Sequence, residues 1–261
     1  MESETNLKLA KTINTLGTRD FAPALYDWLG SVCAIDNVTI IAFFEDRRPE
    51  VFYSHAKEAR VFERLDSEYV RGVFRLDPVY ALHTGSAEED MYRLRDIAPD
   101  QFTRNEYYAT YYRRTTLIDE LIFLAHPAPG VSVTICIGRD ASSQRRFSAR
   151  AQSQMANVAS VVIALANRNW AGLRSGQGQD DGNVVETLRA SLTETHDISL
   201  SPRQAEIAFL ILQGHSSASI GLNLGISPQT VKVIRKQLYR KCAISSQAEL
   251  FSLLAPYLLG A

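Results

Sequence analysis

One stretch constrains this chain more than any other: GISPQTVKVIRKQLYRKC, residues 225–242. It holds five basic residues, Lys232, Arg235, Lys236, Arg240 and Lys241. At the turn of an α-helix, Val231, Ile234, Leu238 and Cys242 fall within one sector of roughly 80°. Lys232, Arg235, Lys236 and Arg240 spread over the opposite half, with Val233 at its margin. Such a segment binds a small core along one side and offers cations on the other. Ser227 suits the N-cap and Pro228 the first helical position. Upstream, SSASIGLNLG predicts a shorter helix ending at Gly225, a residue that accepts the left-handed backbone of a tight turn. Helix, tight turn and exposed basic helix predict a helix-turn-helix, whose second helix fits the major groove. A Lys/Arg-rich face is also an ordinary solvated surface. Cap, turn, preceding helix and local charge together favour the groove-reading alternative.

Charge distribution supports that choice. The 261 residues carry a net charge of −1, which predicts no global affinity for nucleic acid or membranes. From Leu200 onward, however, six basic residues stand against two acidic ones, giving that end +4 and leaving −5 for the rest. No run approaches the roughly 18 apolar residues of a membrane span, and MESETNLKLAK lacks the pattern of a signal peptide. Cys33, Cys136 and Cys242 are scattered and suit a reducing cytoplasm. His55, His83, His126, His196 and His215 show no ligand spacing to one another or to cysteine, so no metal is expected. No nucleophile motif, phosphate loop or paired-acid site stands out; neither catalysis nor a cofactor is expected.

The segment LSPRQAEIAFLILQGHSSASIGLNLGISPQTVKVIRKQLYRKCAISSQAEL resembles the DNA-binding domain of the LuxR/NarL/GerE regulators. LSPRQAEI, the Gly after the first long helix, LGIS, TVK and YRK followed by ISS fall at that family's spacing. The resemblance implies an all-α four-helix domain whose third helix reads DNA, as a homodimer on an inverted repeat. Carried over by position, Lys232, Val233 and Lys236 are base-edge candidates, and Thr230, Arg240 and Lys241 phosphate candidates. Ser227 and Arg235 complete the set. Ser246 to Leu258 resembles the dimerisation helix. The chain departs from the pattern at Gln204, Ala218, Ser219, Ile234 and Gln247. At Ala243 it lacks the Gly that usually ends the third helix; a positive φ there would cost Ala on the order of 1 kcal/mol.

Ser175 to Asn183 is Gly, Gln and Asp without apolar period, which reads as a flexible linker. The division expected is therefore a first domain over 1–171, a linker over 172–198 and the helix-turn-helix domain over 199–261, with VVETLRASL a short helix before the latter. In the first domain, Phe21 to Val32 has helical apolar spacing. NVTIIAFF and VFYS read as paired strands, and LIDELIFLAHP and VSVTICIG as a second hairpin across APG. AKEARVFERLDSEYVRGVF and FTRNEYYATYYRRT read as helices, and Phe147 to Trp170 as a long one. The order predicts an α+β sensor domain, an antiparallel sheet flanked by helices.

No receiver-type βα repeat follows the early strand, so small-molecule control is the expectation for this domain. Its element order is similar to the GAF/PAS-like sensor folds and to the autoinducer-binding domain of the quorum-sensing branch. In YVRGVFRLDPV, Tyr69, Phe74 and Asp77 resemble that branch's aromatic-spaced segment, where the resemblance implies an Asp accepting a ligand amide. Asp77 before Pro78 is equally a helix stop. In NEYYATYYRRTTLIDEL, Tyr107 and Tyr111 share one helix face, and Tyr108 and Tyr112 the next, with Asp119 following. These could box a cationic amine, or simply pack against the sheet. Control by protein contacts without a ligand, and an acyl-homoserine lactone receptor, stay open as alternatives. Double-stranded DNA, a second copy and a small effector are the expected partners, with RNA polymerase a further candidate. A cytoplasmic bacterial regulator is the reading that results.

Overall fold

The computed structural model describes residues 2–176 and 184–258. Residues 177–183, inside the expected linker of 172–198, lie outside the described residues. The chain forms two compact units: Met1–Arg64, Val79–Ile97 and Thr115–Gly178 make one, and Leu65–Pro78, Ala98–Arg114 and Gln179–Ala261 the other.

The first unit is built on one antiparallel sheet of order β2-β1-β5-β4-β3. Its strands are β1 (Asn37–Phe44), β2 (Glu50–Ala56), β3 (Met91–Arg93), β4 (Leu117–Ala128) and β5 (Val131–Asp140). β4 and β5 are the predicted hairpin, and β1 and β2 the other. Strand alternation sends Val38, Ile40, Ala42, Phe44, Leu121, Phe123, Val133, Ile135 and Ile137 to one face. Helices α1 (Glu2–Asn14), α2 (Phe21–Val32) and α6 (Ala149–Asn169) belong to this unit. α2 contributes Leu25, Trp28 and Leu29 to that core, and α6 contributes Met155, Val162 and Ala166. α6 starts at Ser148, whose Oγ accepts the Ala151 N–H at 3.2 Å.

The opposite sheet face is mixed. Thr39, Ile41, Phe43, Glu120, Ile122, Leu124, Ser132, Thr134 and Cys136 are all buried, so polar groups sit among the apolar ones. Helix α3 (Pro78–Thr84) crosses it, with Tyr80 5.4 Å from the Phe43 ring. Helix α4 (Leu94–Ile97) follows β3.

The second unit joins two upstream segments to the C-terminal helices. Helix α5 (Glu106–Thr110) belongs here, with α7 (Val184–His196), α8 (Pro202–Gln213), α9 (Ser217–Leu224), α10 (Pro228–Lys241) and α11 (Gln247–Leu258). Two predicted helices are broken up. Residues 57–76 form short turns at Ala59–Val61, Leu65–Tyr69 and Val73–Leu76. The tyrosine segment is α5 alone, between 3-10 turns at Phe102–Arg104 and Tyr112–Thr115. Tyr and Thr hold a helix less well than Ala or Leu.

Candidate nucleic-acid interface and effector site

Residues around α10 act as the spacing predicts. Ser227 Oγ accepts the Thr230 N–H at 3.0 Å and starts the helix. Val231 and Leu238 are fully buried and Cys242 nearly so, while Ile234 is half-buried. On the other side Thr230, Lys232, Lys236, Arg240 and Lys241 are exposed, as is Val233 at 48%. Arg235 is half-buried, its guanidinium 5.0 Å from the Tyr239 ring centroid. Among the described residues none of these five cations is paired with a carboxylate. Lys232, Arg235, Lys236 and Arg240 line one open groove together with Ser217, Tyr239 and Ile244. One helix therefore shows a dry seam and an uncompensated cationic face, a surface suited to phosphates and base edges.

The supporting helices are fixed by their caps. Ser201 and Gln204 form a reciprocal capping box on α8, at 3.2 and 3.0 Å, so Gln serves where the family pattern has Glu. Ser216 Oγ accepts the Ser219 N–H at 3.2 Å and starts α9. Gly225 takes φ +63°, the left-handed turn into α10. Gln247, in place of the usual Arg, donates to the Ile211 carbonyl oxygen at 3.0 Å.

Five of the six effector candidates lie in the second unit and are buried: Tyr69, Phe74, Asp77, Tyr107 and Tyr111. The Tyr107 hydroxyl donates to Asp77 Oδ2 at 3.2 Å, and its ring stacks on Tyr111 at 5.8 Å. Tyr69 lies 6.0 Å from Tyr111 and 6.4 Å from Phe74. Burial, reinforced by the Asp77 charge, pushes the Tyr107 phenol well above its ordinary pKa, so it stays a donor. The second predicted face also exists: Tyr108 stacks on Tyr112 at 5.5 Å, and Phe102 meets both rings edge-on. Asp119 is placed in the first unit, where its Oδ2 accepts the Phe147 N–H at 3.0 Å. Alternation along β4 puts Asp119 on the face of Leu121 and Phe123, and Glu120 on the other. The sequence carried that signal in the spacing from Asp119 to Leu121.

The histidines gave no such signal. His83 on α3 and His126 on β4 meet across the sheet unit at one hydroxyl: their Nδ1 atoms lie 2.7 and 3.1 Å from Ser132 Oγ. His126 Nε2 lies 2.8 Å from the Ala87 carbonyl oxygen. Burial lowers the His83 pKa, which favours the neutral ring. With Glu45 and the turn around Gly130 these groups line a cavity of about 300 Å³. Among the described residues no cluster of His, Cys, Asp and Glu could hold a metal ion, and no helix is long and apolar enough to cross a membrane.

Residues 198–254 match the family model of the bacterial regulatory proteins, luxR family (GerE). The match spans α8, α9 and α10 and most of α11. A curated relative, the putative HTH-type transcriptional regulator in the exeN 3′ region of Aeromonas salmonicida, is 27% identical over 161 residues, 60% of this chain and 82% of the relative. This chain is a transcription regulator with a LuxR-type DNA-binding domain. The family is one of DNA-binding regulators, not of enzymes. For the regulator's sheet-bearing part, the VqsR LBD domain of Pseudomonas aeruginosa is a structural neighbour. It has a TM-score of 0.56 and 22% identity, over 66% of this chain and 98% of that one, and shows a shared fold. Escherichia coli SdiA aligns over 98% of both chains with TM-score 0.41 and 16% identity.

Proposed function

We propose that α10 enters the major groove of double-stranded DNA and that a small polar molecule in the first unit governs when it does so. Lys232, Val233 and Lys236 face the base edges, while Ser227, Thr230, Arg235, Arg240 and Lys241 serve the backbone. The observation that carries the first half is the pairing of fully buried Val231 and Leu238 with cations on the reverse of the same helix that no carboxylate among the described residues neutralises. The regulator binds as a homodimer on an inverted repeat, and RNA polymerase is a partner at the promoter. As a DNA-binding regulator it works in the cytoplasm. Selection of bound sequences from a random duplex library tests this: a two-fold-symmetric motif supports it, and no enrichment overturns it.

For the effector, the observation is the cavity of about 300 Å³ with two imidazoles, two hydroxyls and a carboxylate on its walls. That size lies at the small end of ordinary ligand pockets. Its groups suit a small molecule bearing both donors and acceptors. For a ligand amide to donate to Asp77, as the autoinducer resemblance implies, the Tyr107 hydroxyl would have to share or leave that carboxylate. Native mass spectrometry of protein purified from cells is the test. A retained small molecule, lost in a Ser132→Leu variant, supports the cavity; an unliganded protein with full regulatory response overturns it and favours control by protein contacts.

A further inference from the structure

The corner between α8 and α9 is held by a segment from far upstream, within the same compact unit. The Asn105 amide donates to the carbonyl oxygens of Leu212 and Gln213, at 3.3 and 2.9 Å. The Gln101 N–H donates to the Gly214 carbonyl oxygen at 2.9 Å. The Ser216 N–H donates to Asp100 Oδ1, also at 2.9 Å. Four groups within five residues of the corner are thus met by residues 100–105. The approach is close: a Cβ on Gly214 would stand 2.6 Å from Asn105 Nδ2.

Asp100 tells what this contact does. The N–H that it accepts belongs to the N-cap of α9, the first helix of the helix-turn-helix. Such a helix start carries free N–H groups and a positive field that suit a phosphate oxygen, and the first helix of a helix-turn-helix crosses the duplex backbone. Ser217, the first residue of α9, lines the same groove as Lys232, Lys236 and Arg240, so this helix start opens on the cationic face. A carboxylate oxygen on that N–H has the charge and the hydrogen bond of a phosphate oxygen.

We propose that residues 100–105 are an internal competitor for DNA, with Asp100 standing in for a backbone phosphate at α9 and Asn105 pinning the corner. The inference rests on the DNA-binding reading above and adds its regulation. Release follows from the neighbouring segment. Asn105 Oδ1 also accepts the Tyr108 N–H at 2.7 Å, so the side chain that closes the corner starts α5. Tyr107, two residues on, is tied to Asp77. A shift of α5 pulls Asn105 with it, and a molecule that favours the shifted form shifts the balance toward DNA.

The test measures the affinity of the full chain for a short duplex of mixed sequence, over a series of salt concentrations, for wild type, Asp100→Asn and Asn105→Ala. Asp100 is exposed, so the first variant keeps the fold even where the second does not. Both variants are expected to bind about tenfold tighter, and Asp100→Asn to steepen the log–log salt slope by about 1, as one more phosphate contact becomes available. Wild-type binding with variants no tighter and slopes unchanged overturns the proposal. If no form, wild type included, binds the duplex at the lowest salt, the DNA-binding reading falls and the competitor falls with it.

Discussion

The Ile244 N–H donates to the Tyr239 carbonyl oxygen at 3.0 Å, and the chain closes that bond with Ala243 at φ +54° between them. This is the left-handed turn at the end of a helix, made here by a residue with a Cβ. Ala243→Gly removes the steric cost and gives back part of it as freedom of the unfolded chain, for a net gain of about 0.5–1 kcal/mol. Urea unfolding of the full chain, followed on the C-terminal helices, reads the gain. Equal or lower stability would show that the Ala backbone is unstrained.

The two sides of α10 are predicted to separate stability from binding. Leu238 is fully buried, so Leu238→Ala costs about 2–4 kcal/mol through lost burial and the cavity left behind. Lys236→Ala, on the exposed side, changes stability by less than about 0.5 kcal/mol. Thermal melts of the two variants decide. Comparable losses would mean that Lys236 packs rather than faces solvent.

Much of this was legible in the sequence because local chemistry dictated it. Gly225 ends α9, and Ser227 and Pro228 start α10, by backbone preference and capping, and the apolar seam fixed which side is buried. The two hairpins followed from β-branched runs around short turns. α1, β3 and α3 were not anticipated: the first is polar along much of its length, and the other two are three and seven residues long. The tyrosine segment paired its rings as expected, yet not as one long helix. The meeting of His83 and His126 at Ser132 was hidden, since sheet closure brings together residues that no spacing relates. The Asn105 contact was hidden for the same reason, since it joins positions more than a hundred residues apart.

A third prediction concerns acid. Asp36 is 2% exposed and sits among Arg139, Lys57, Ser143 and the Asp140 N–H. Burial alone would raise its pKa, but those hydrogen bonds and cations outweigh it and hold the carboxyl below its ordinary value. A depressed folded pKa means stability that is complete above the unfolded pKa of about 3.9 and lost as pH falls through the folded one. Asp36→Asn should lower stability at neutral pH by about 1–3 kcal/mol and flatten the fall below about pH 4. Unfolding midpoints from pH 7 downward measure this; a variant with wild-type acid sensitivity would place the acid-labile groups elsewhere.

The account turns on the exposed side of α10 reading a duplex, and one measurement tests that most directly: affinities of wild type, Lys236→Ala and Arg240→Ala for the selected site and its single-base variants, over a salt series. Lys236→Ala is predicted to lose about 1–3 kcal/mol at particular base pairs and to relax the preference there. Arg240→Ala is predicted to weaken every duplex alike and to lower the salt slope by about 1. Binding by wild type that neither preference nor salt slope distinguishes from that of the two variants would contradict the assignment of this face to DNA.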